Sequence, residues 1–258
     1  MILRIGHWIT AEPAAGHGSG QGAWQAFANS QQHVRDFVGC ISQPAHAALA
    51  AQLASALDPR IFGTLPPDVI ESIGRHDAGW AESDLAALER AGEREPQSFV
   101  ACLPQGAIAA WRRSIRHAEE RSALAGILTS RHFCMLAPRD SDPHHAEFVE
   151  QEEQRRAPQE AASSVSGDDL NRFTAALGFC DVLSLCLCAG LTGSVRIPLA
   201  HPADPASQHT PKATVSLTSE TLRFDPPMMA PGTLIHVDGW LASSPHVLTG
   251  HRFHWTAG

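Results

Sequence analysis

The sequence predicts a mainly α fold, a helical bundle with a small antiparallel β appendage formed by N- and C-terminal strands. Three observations predict it. Between residues 43 and 189 apolar side chains recur at three- and four-residue steps, as in Leu49, Leu53 and Leu57 or Val69, Ile70 and Ile73. That is the period of helices with one buried face. From Gly190 onward the runs become short and alternating, separated by Pro, Gly, Asp and Ser, which is the period of strands. Residues 2–9 and 35–42 read as two further short strands. A chain of 258 residues can bury one sizeable core. Residues 1–258 are therefore expected to form a single domain, helical over about 43–189 and β over about 1–42 and 190–258.

Taken in order, the first strand leads into residues 14–22, where glycine alternates at 16, 18, 20 and 22. The spacing departs from a phosphate-binding G-x-G-x-x-G at Gln21, and no lysine follows, so a flexible surface loop is expected. Pro44 opens a helix over residues 44–54, a residue type at home in a first turn. His46 lies one turn before Leu49 and Ala50, beside the buried face. Leu65-Pro66-Pro67-Asp68 starts the next helix, and His76 falls three residues after Ile73 on the same face, with Asp77 next to it. Gly79 is expected to end that helix and Trp80 to fold back over it. Residues 81–106 are polar and punctuated by Pro and Gly, a surface excursion anchored by Phe99. Residues 107–136 return to helix with a break near Ser122. Residues 138–145 form a loop into a helix over 146–156, and residues 158–167 a polar linker. Asp168 and Asp169 cap an apolar helix over 170–188.

Composition excludes some roles. Nineteen basic against twenty-seven acidic residues, a net charge of -8, argue against a nucleic-acid partner, because phosphate binding needs a basic face. The six cysteines form no C-x-x-C pair and read as reduced thiols packed as small core residues. The N-terminus lacks the apolar core of a signal peptide. The most apolar stretch, residues 175–191, carries Asp181 in its middle and so does not read as a membrane span. A cytoplasmic protein acting on a small molecule, without nucleic acid or membrane, is expected; a homodimer is compatible with this.

The chemistry centres on His76-Asp77. Adjacent imidazole and carboxylate donors at a helix end suit a divalent cation that accepts both. Asp181 stands alone among Phe179, Val182, Leu183 and Leu185, with no basic residue within a turn. A buried carboxylate in that setting has to be paired, protonated or metal-bound. Five residues on successive helices are therefore the expected ligands of one or two divalent ions: His46, His76, Asp77, His132 and Asp181. His117, His144 and His145 are further candidates, each balanced by a solvated surface role. Mn, Fe, Mg, Ni and Zn are not distinguished by the sequence.

The order His46, His76-Asp77, Asp181 resembles the HD-domain superfamily. More closely, Gln43-Pro44-Ala45-His46, His76-Asp77-Ala78-Gly79-Trp80, Leu128-Thr129-Ser130-Arg131-His132-Phe133 and Asp181-Val182-Leu183-Ser184 resemble the motifs of the DUF3891 family, from about residue 37 to the C-terminal strands. The resemblance implies an HD-domain-like helical core and a metal-dependent phosphohydrolase. Its ion would lower the pKa of a bound water toward neutrality for attack on a small phosphorylated or nucleotide-like substrate. Asp77 and Arg131 are the expected catalytic residues, Asp77 bridging if a second ion sits on His132. Arg75, Trp80 and Arg131 are the expected substrate contacts. Two alternatives stand beside this: an HD-type di-iron oxygenase, which would use the surplus histidines, and a non-catalytic binding module with a closed metal site.

Overall fold

A computed structural model describes residues 1–5, 10–11, 23–32, 37–91, 96–137, 142–199, 211–244 and 247–258. The glycine-rich residues 14–22, the loop residues 138–141 and, of the two expected N-terminal strands, residues 6–9 and 35–36 lie outside the described residues.

The chain begins with strands β1 (Ile2–Ile5) and β2 (Thr10–Ala11), helix α1 (Ala23–Gln32) and strand β3 (Phe37–Ile41). Helix α2 (Gln43–Ala56) starts where Ser42 Oγ accepts from the Ala45 amide, with Pro44 in the first turn. A short α3 (Pro59–Phe62) and α4 (Pro67–Arg75) follow, then a 3-10 turn, Ala78–Trp80, and α5 (Ala81–Glu89). Helices α6 (Pro104–Glu119) and α7 (Ala123–Leu136) are separated at Ser122, whose extended backbone and hydroxyl cap α7. Helix α8 (Pro143–Ala162) and the long α9 (Gly167–Ala189) complete the helical part. Strands β4 (Thr192–Pro198), β5 (Lys212–Leu217), β6 (Thr221–Asp225), β7 (Leu234–Ser244) and β8 (Val247–Ala257) close the chain.

The eight strands among the described residues join one sheet in the order β1-β3-β7-β8-β6-β5-β4-β2. It is mixed: β6 runs parallel to β8 and β2 parallel to β4, while the remaining neighbours are antiparallel. This overturns the expected mainly α bundle with a small antiparallel appendage; the fold is mixed α/β. The physical reason lies in the core. Leu49 and Leu53 of α2, Ile127 of α7 and Leu183 and Leu187 of α9 belong to the same buried cluster as Val215, Leu222, Phe224, Ile235, Val237 and Trp255 of the sheet. Alternation in the strands showed that one face is buried, but not that the helices cover it.

Helix α9 is the joint between the two halves. A helix apolar on every side has to be surrounded, and α9 packs on α2 and α7 as well as on β1 and β4. It is long and apolar enough to cross a bilayer, yet 83% of its most apolar stretch is buried within the protein. Ser166, rather than Asp168 or Asp169, caps it, accepting from the Asp169 amide at 3.1 Å while its hydroxyl donates to the Asp169 carboxylate. Gly190, at φ 75°, ends it, and the half-buried Arg4 guanidinium donates to the carbonyl of the buried Leu187.

Three local expectations also change. Residues 81–89 are helical, with Glu82 and Asp84 in the first turn, where acidic groups favour a helix start. Helix α8 continues through Pro158, so no linker begins there. Gly79 lies in the 3-10 turn rather than at a left-handed helix end. A Cβ there would sit 2.2 Å from the Ala110 carbonyl oxygen and 2.4 Å from the Ser114 nitrogen, so its role is close approach to α6. Phe99 does anchor the segment after α5, against Phe27 and Trp80.

Candidate metal centre

Four helices converge on one buried point. Helix α2 supplies His46, the end of α4 supplies His76 and Asp77, α7 supplies His132 and α9 supplies Asp181. All five are between 0 and 7% exposed. His46, His76 and Asp77 offer donor atoms within 4.8 Å of one another, and so do His76, His132 and Asp181. The three imidazoles meet edge to face, with ring centroids 5.2 Å apart for His46–His76 and for His76–His132.

Local chain geometry aims the pair. His76 is the C-cap of α4, still helical, and Asp77 turns the chain out of the helix at φ -103°, ψ 19°. The following turn is clamped onto α6: the Gly79 amide donates to Ser114 Oγ at 2.9 Å, and Arg113 Nε donates to the Gly79 carbonyl at 2.9 Å.

Second partners fix the ring tautomers. Ser184 donates its hydroxyl proton to the Asp181 carbonyl at 2.8 Å, so its oxygen accepts from His46 Nδ1 at 2.9 Å. His76 Nδ1 donates to the Ile73 carbonyl at 2.7 Å. With Nδ1 donating, a ring that carries no second proton has its lone pair on Nε2, and in both rings Nε2 faces a carboxylate: Asp77 Oδ2 at 2.7 Å from His46, Asp181 Oδ1 at 3.2 Å from His76. Two acceptors at those distances repel unless a proton or a cation lies between them. His132 approaches Asp181 Oδ2 at 3.4 Å, but too poorly aligned for a hydrogen bond, and both its ring nitrogens lack one. Hydrogen bonds to the outer ring nitrogen are how metal-ligating histidines are usually held.

The electrostatics agree. Burial alone lowers the pKa of His76, but the Asp77 and Asp181 charges and the Ile73 carbonyl outweigh it and raise it to about 9. For His132 burial prevails over Asp181 and the pKa falls. Burial would raise Asp181, but His132 and His76 hold it below the usual carboxylate range. Neither Asp77 nor Asp181 pairs with a lysine or arginine among the described residues. Two buried carboxylates without a permanent cation are expensive, and three imidazole nitrogens with two carboxylates suit a borderline divalent ion.

Four of the five, His76, Asp77, His132 and Asp181, line a cavity of about 240 Å³ whose walls are largely apolar and include Trp80, Phe99, Trp111 and Phe133, while His46 lies behind them. No lysine or arginine lines it among the described residues. The guanidiniums expected there are engaged elsewhere. Arg131 Nε donates to Glu160 at 2.7 Å and its Nη1 to Asn171 at 2.7 Å, on the side of α7 that meets α8 and α9. Arg75 is exposed beside Glu71. A residue next to a ligand on a helix points about 100° away from it, which is why adjacency to His132 or His76 did not bring either arginine inward. His117 is exposed near Glu120, and His144 is exposed. His145 lines the cavity wall, stacked on Trp111. Ser184 was the residue the sequence reading passed over; its signal was its position three after Asp181, on the same helical face.

Fold and site together define a mixed α/β protein with a buried three-histidine, two-aspartate cluster under an aromatic-walled cavity. The family comparison matches the model of DUF3891, described as a protein of unknown function, over residues 31–247. The chain belongs to that family. No curated protein and no solved structure matches it.

Proposed function

We propose that the chain is a metal-dependent hydrolase holding one divalent ion on His46, His76, Asp77, His132 and Asp181 and acting on a small, largely apolar substrate. The observation that carries this is the facing of two buried carboxylates by imidazole nitrogens whose partner nitrogens already donate elsewhere. A single ion is favoured because the two donor triads share His76, which has only Nε2 left to give. His46 Nε2 also lies 3.8 Å from Asp181 Oδ1, which draws the two triads together. The chain order His46, His76-Asp77, Asp181 is that of HD-type hydrolases and adds to the reading.

When bound, the ion supplies a Lewis acid that polarises a substrate oxygen and brings the pKa of water toward neutrality. The residues do the rest. Asp77 is the more open carboxylate, its side chain 10% exposed against 4% for Asp181. Its Oδ2 faces the imidazoles, while Oδ1 has no hydrogen bond among the described residues and is the base that takes a proton from the attacking water. Ser184 and the Ile73 carbonyl orient His46 and His76. The aromatic walls make the approach to the carboxylates largely apolar.

A phosphorylated substrate fits less well than expected from the sequence. Its dianion would meet Asp77 and Asp181 with no cationic side chain on the cavity wall among the described residues. The same apolar walls favour, as a second reading, an oxygen-activating iron site that attacks an unactivated C–H bond; turnover in air but not under nitrogen would identify it. The test of the hydrolase reading is hydrolysis of 4-nitrophenyl acetate and 4-nitrophenyl phosphate by protein loaded with Mn²⁺, Fe²⁺ or Zn²⁺. Ester hydrolysis lost on chelation and in Asp77→Asn is expected. Metal-loaded protein that hydrolyses neither compound would overturn the reading.

A further inference from the structure

The charge of the chain is unevenly placed. Between residues 43 and 189 stand twenty-one acidic and thirteen basic residues, which is the whole excess of eight; from residue 190 onward there are four of each. Within the helices several arginines already lie against a carboxylate, as Arg60 does on Asp58, Arg121 on Glu71 and Arg172 on Asp169.

The outer face of the sheet differs. Strands β4, β5 and β6 bury Val195, Ile197, Ala213, Val215, Leu222 and Phe224, so the alternate side chains face away from the core. Among them Arg196, Lys212 and Arg223 are exposed, with Ser194 and Ser216 beside them. The register sets Arg196 level with Thr214 and Asp225, Arg223 level with Ser216 and Ser194, and Lys212 level with Pro198. With strands about 4.8 Å apart and about 3.4 Å per residue, Arg196 lies about 8 Å from Lys212 and about 12 Å from Arg223. None of the three basic side chains is in an ion pair among the described residues, unlike Arg252 on β8, which is taken by Asp238. Asp225 is the only acidic residue these three strands carry.

The complementary surface is on α8. Glu147 and Glu150 are exposed one turn apart and accept only from Gln151 and Gln154, at 2.8 and 3.3 Å, with no cation against either among the described residues. Helix α8 packs on α6 and α7, whereas β4 packs on α1 and α9, and no ion pair joins α8 to the strands among the described residues. The basic patch and the acidic row of one molecule therefore do not neutralise each other.

We propose that the open face of β4, β5 and β6 docks α8 of a second copy of this chain, Arg196, Lys212 and Arg223 meeting Glu147 and Glu150. Opposed charge of this kind fixes which surfaces meet and speeds their encounter. Three cations with an aspartate among them are too few for the run of phosphates that nucleic-acid binding neutralises. The joined surfaces are unlike, so a pair closes when both contacts form at once, and otherwise the contact repeats head to tail. The contact needs neither the metal nor the cavity and stands apart from the hydrolase reading.

Sedimentation velocity of the full chain at about 0.05 M and about 0.5 M sodium chloride tests this, since exposed charges are felt at the first and screened at the second. Association about tenfold weaker at the higher salt is expected. Arg196→Glu with Arg223→Glu, and separately Glu147→Arg with Glu150→Arg, are each expected to leave a monomer with unchanged circular dichroism, because all four side chains are exposed. An equal mixture of the two variants sets a reversed patch against a reversed row and is expected to restore association between unlike chains only. A chain monomeric at both salts, association that survives either reversal, or a mixture that stays monomeric would each overturn the proposal. A monomer that binds poly-L-glutamate through Arg196 and Arg223 would overturn the second copy as the occupant and assign the face to another acidic protein.

Discussion

Between pH 7 and 8.5 the chelated protein is expected to lose about 2 kcal/mol of stability, and the metal-loaded protein none. His76 sets the size. Burial pulls its pKa down, yet the Asp77 and Asp181 charges raise it from 6.5 to about 9 in the ion-free fold. A folded value above the unfolded one gives stability that is full below pH 6.5 and lost as pH climbs through 9. Within that interval each unit removes about 1.4 kcal/mol, so 1.5 units remove about 2. The window isolates this group. His132, lowered by burial, is neutral in both states above pH 7, and Asp181, held low, stays ionised in the fold. The buried Cys40 and Cys186 thiols, pushed up to about 12, work against folding mainly above pH 9, where unfolded thiols ionise. A bound ion displaces the His76 proton, so what the chelated fold loses with pH, metal binding gains, and the two cancel. Urea unfolding at 25 °C with EDTA or with saturating Mn²⁺ measures both slopes. Asp77→Asn, which removes the strongest of the interactions that raise His76, is expected to flatten the chelated slope. A chelated protein whose stability is flat over this window, or an Asp77→Asn protein with the parent slope, would refute the reasoning.

Three other substitutions separate positioning from packing. Ser184→Ala removes the acceptor that orients His46 and is expected to weaken metal affinity about 10- to 100-fold with the fold intact, as read by competition with a fluorescent chelator. Gly79→Ala is expected to cost about 3 kcal/mol in urea unfolding, since its methyl would overlap the Ala110 carbonyl on α6; a cost under about 0.5 kcal/mol would mean that the turn is not clamped there. Arg131→Ala is expected to leave metal binding and turnover unchanged and to cost about 1 kcal/mol of stability from its part-buried pair with Glu160; a large loss of turnover would return Arg131 to the site.

The candidate centre was more legible in the sequence than the fold. Asp181 in an apolar helix and His76-Asp77 at a helix end are chemical anomalies, and a buried charge states its need for a partner wherever the backbone goes. The sheet carries no such marker. Val215, Leu217, Leu222 and Phe224 alternate visibly, but nothing in the alternation says that β6 lies parallel to β8 or that these residues share one core with α9. Helix α1 follows a glycine-rich stretch and is rich in Gln, Asn and Ser, so neither period nor composition announced it. Pro158 looked like a stop because proline removes one helical hydrogen bond, a loss that the other bonds of the twenty-residue α8 outlast. The cavity walls were hidden for another reason. Trp111 and Phe133 have the spacing of core residues, and only the assembled helices show that one side of each borders an open space.

Elemental analysis of the purified chain, unsupplemented and after dialysis against Mn²⁺, Fe²⁺ or Zn²⁺, is the most direct trial of the claim that five side chains share one ion. The account predicts one divalent ion per chain, lost in His76→Ala and in Asp181→Ala while both variants keep their helical circular dichroism. Two ions per chain would contradict the shared role given to His76. No ion, or an ion retained in both variants, would contradict the centre itself.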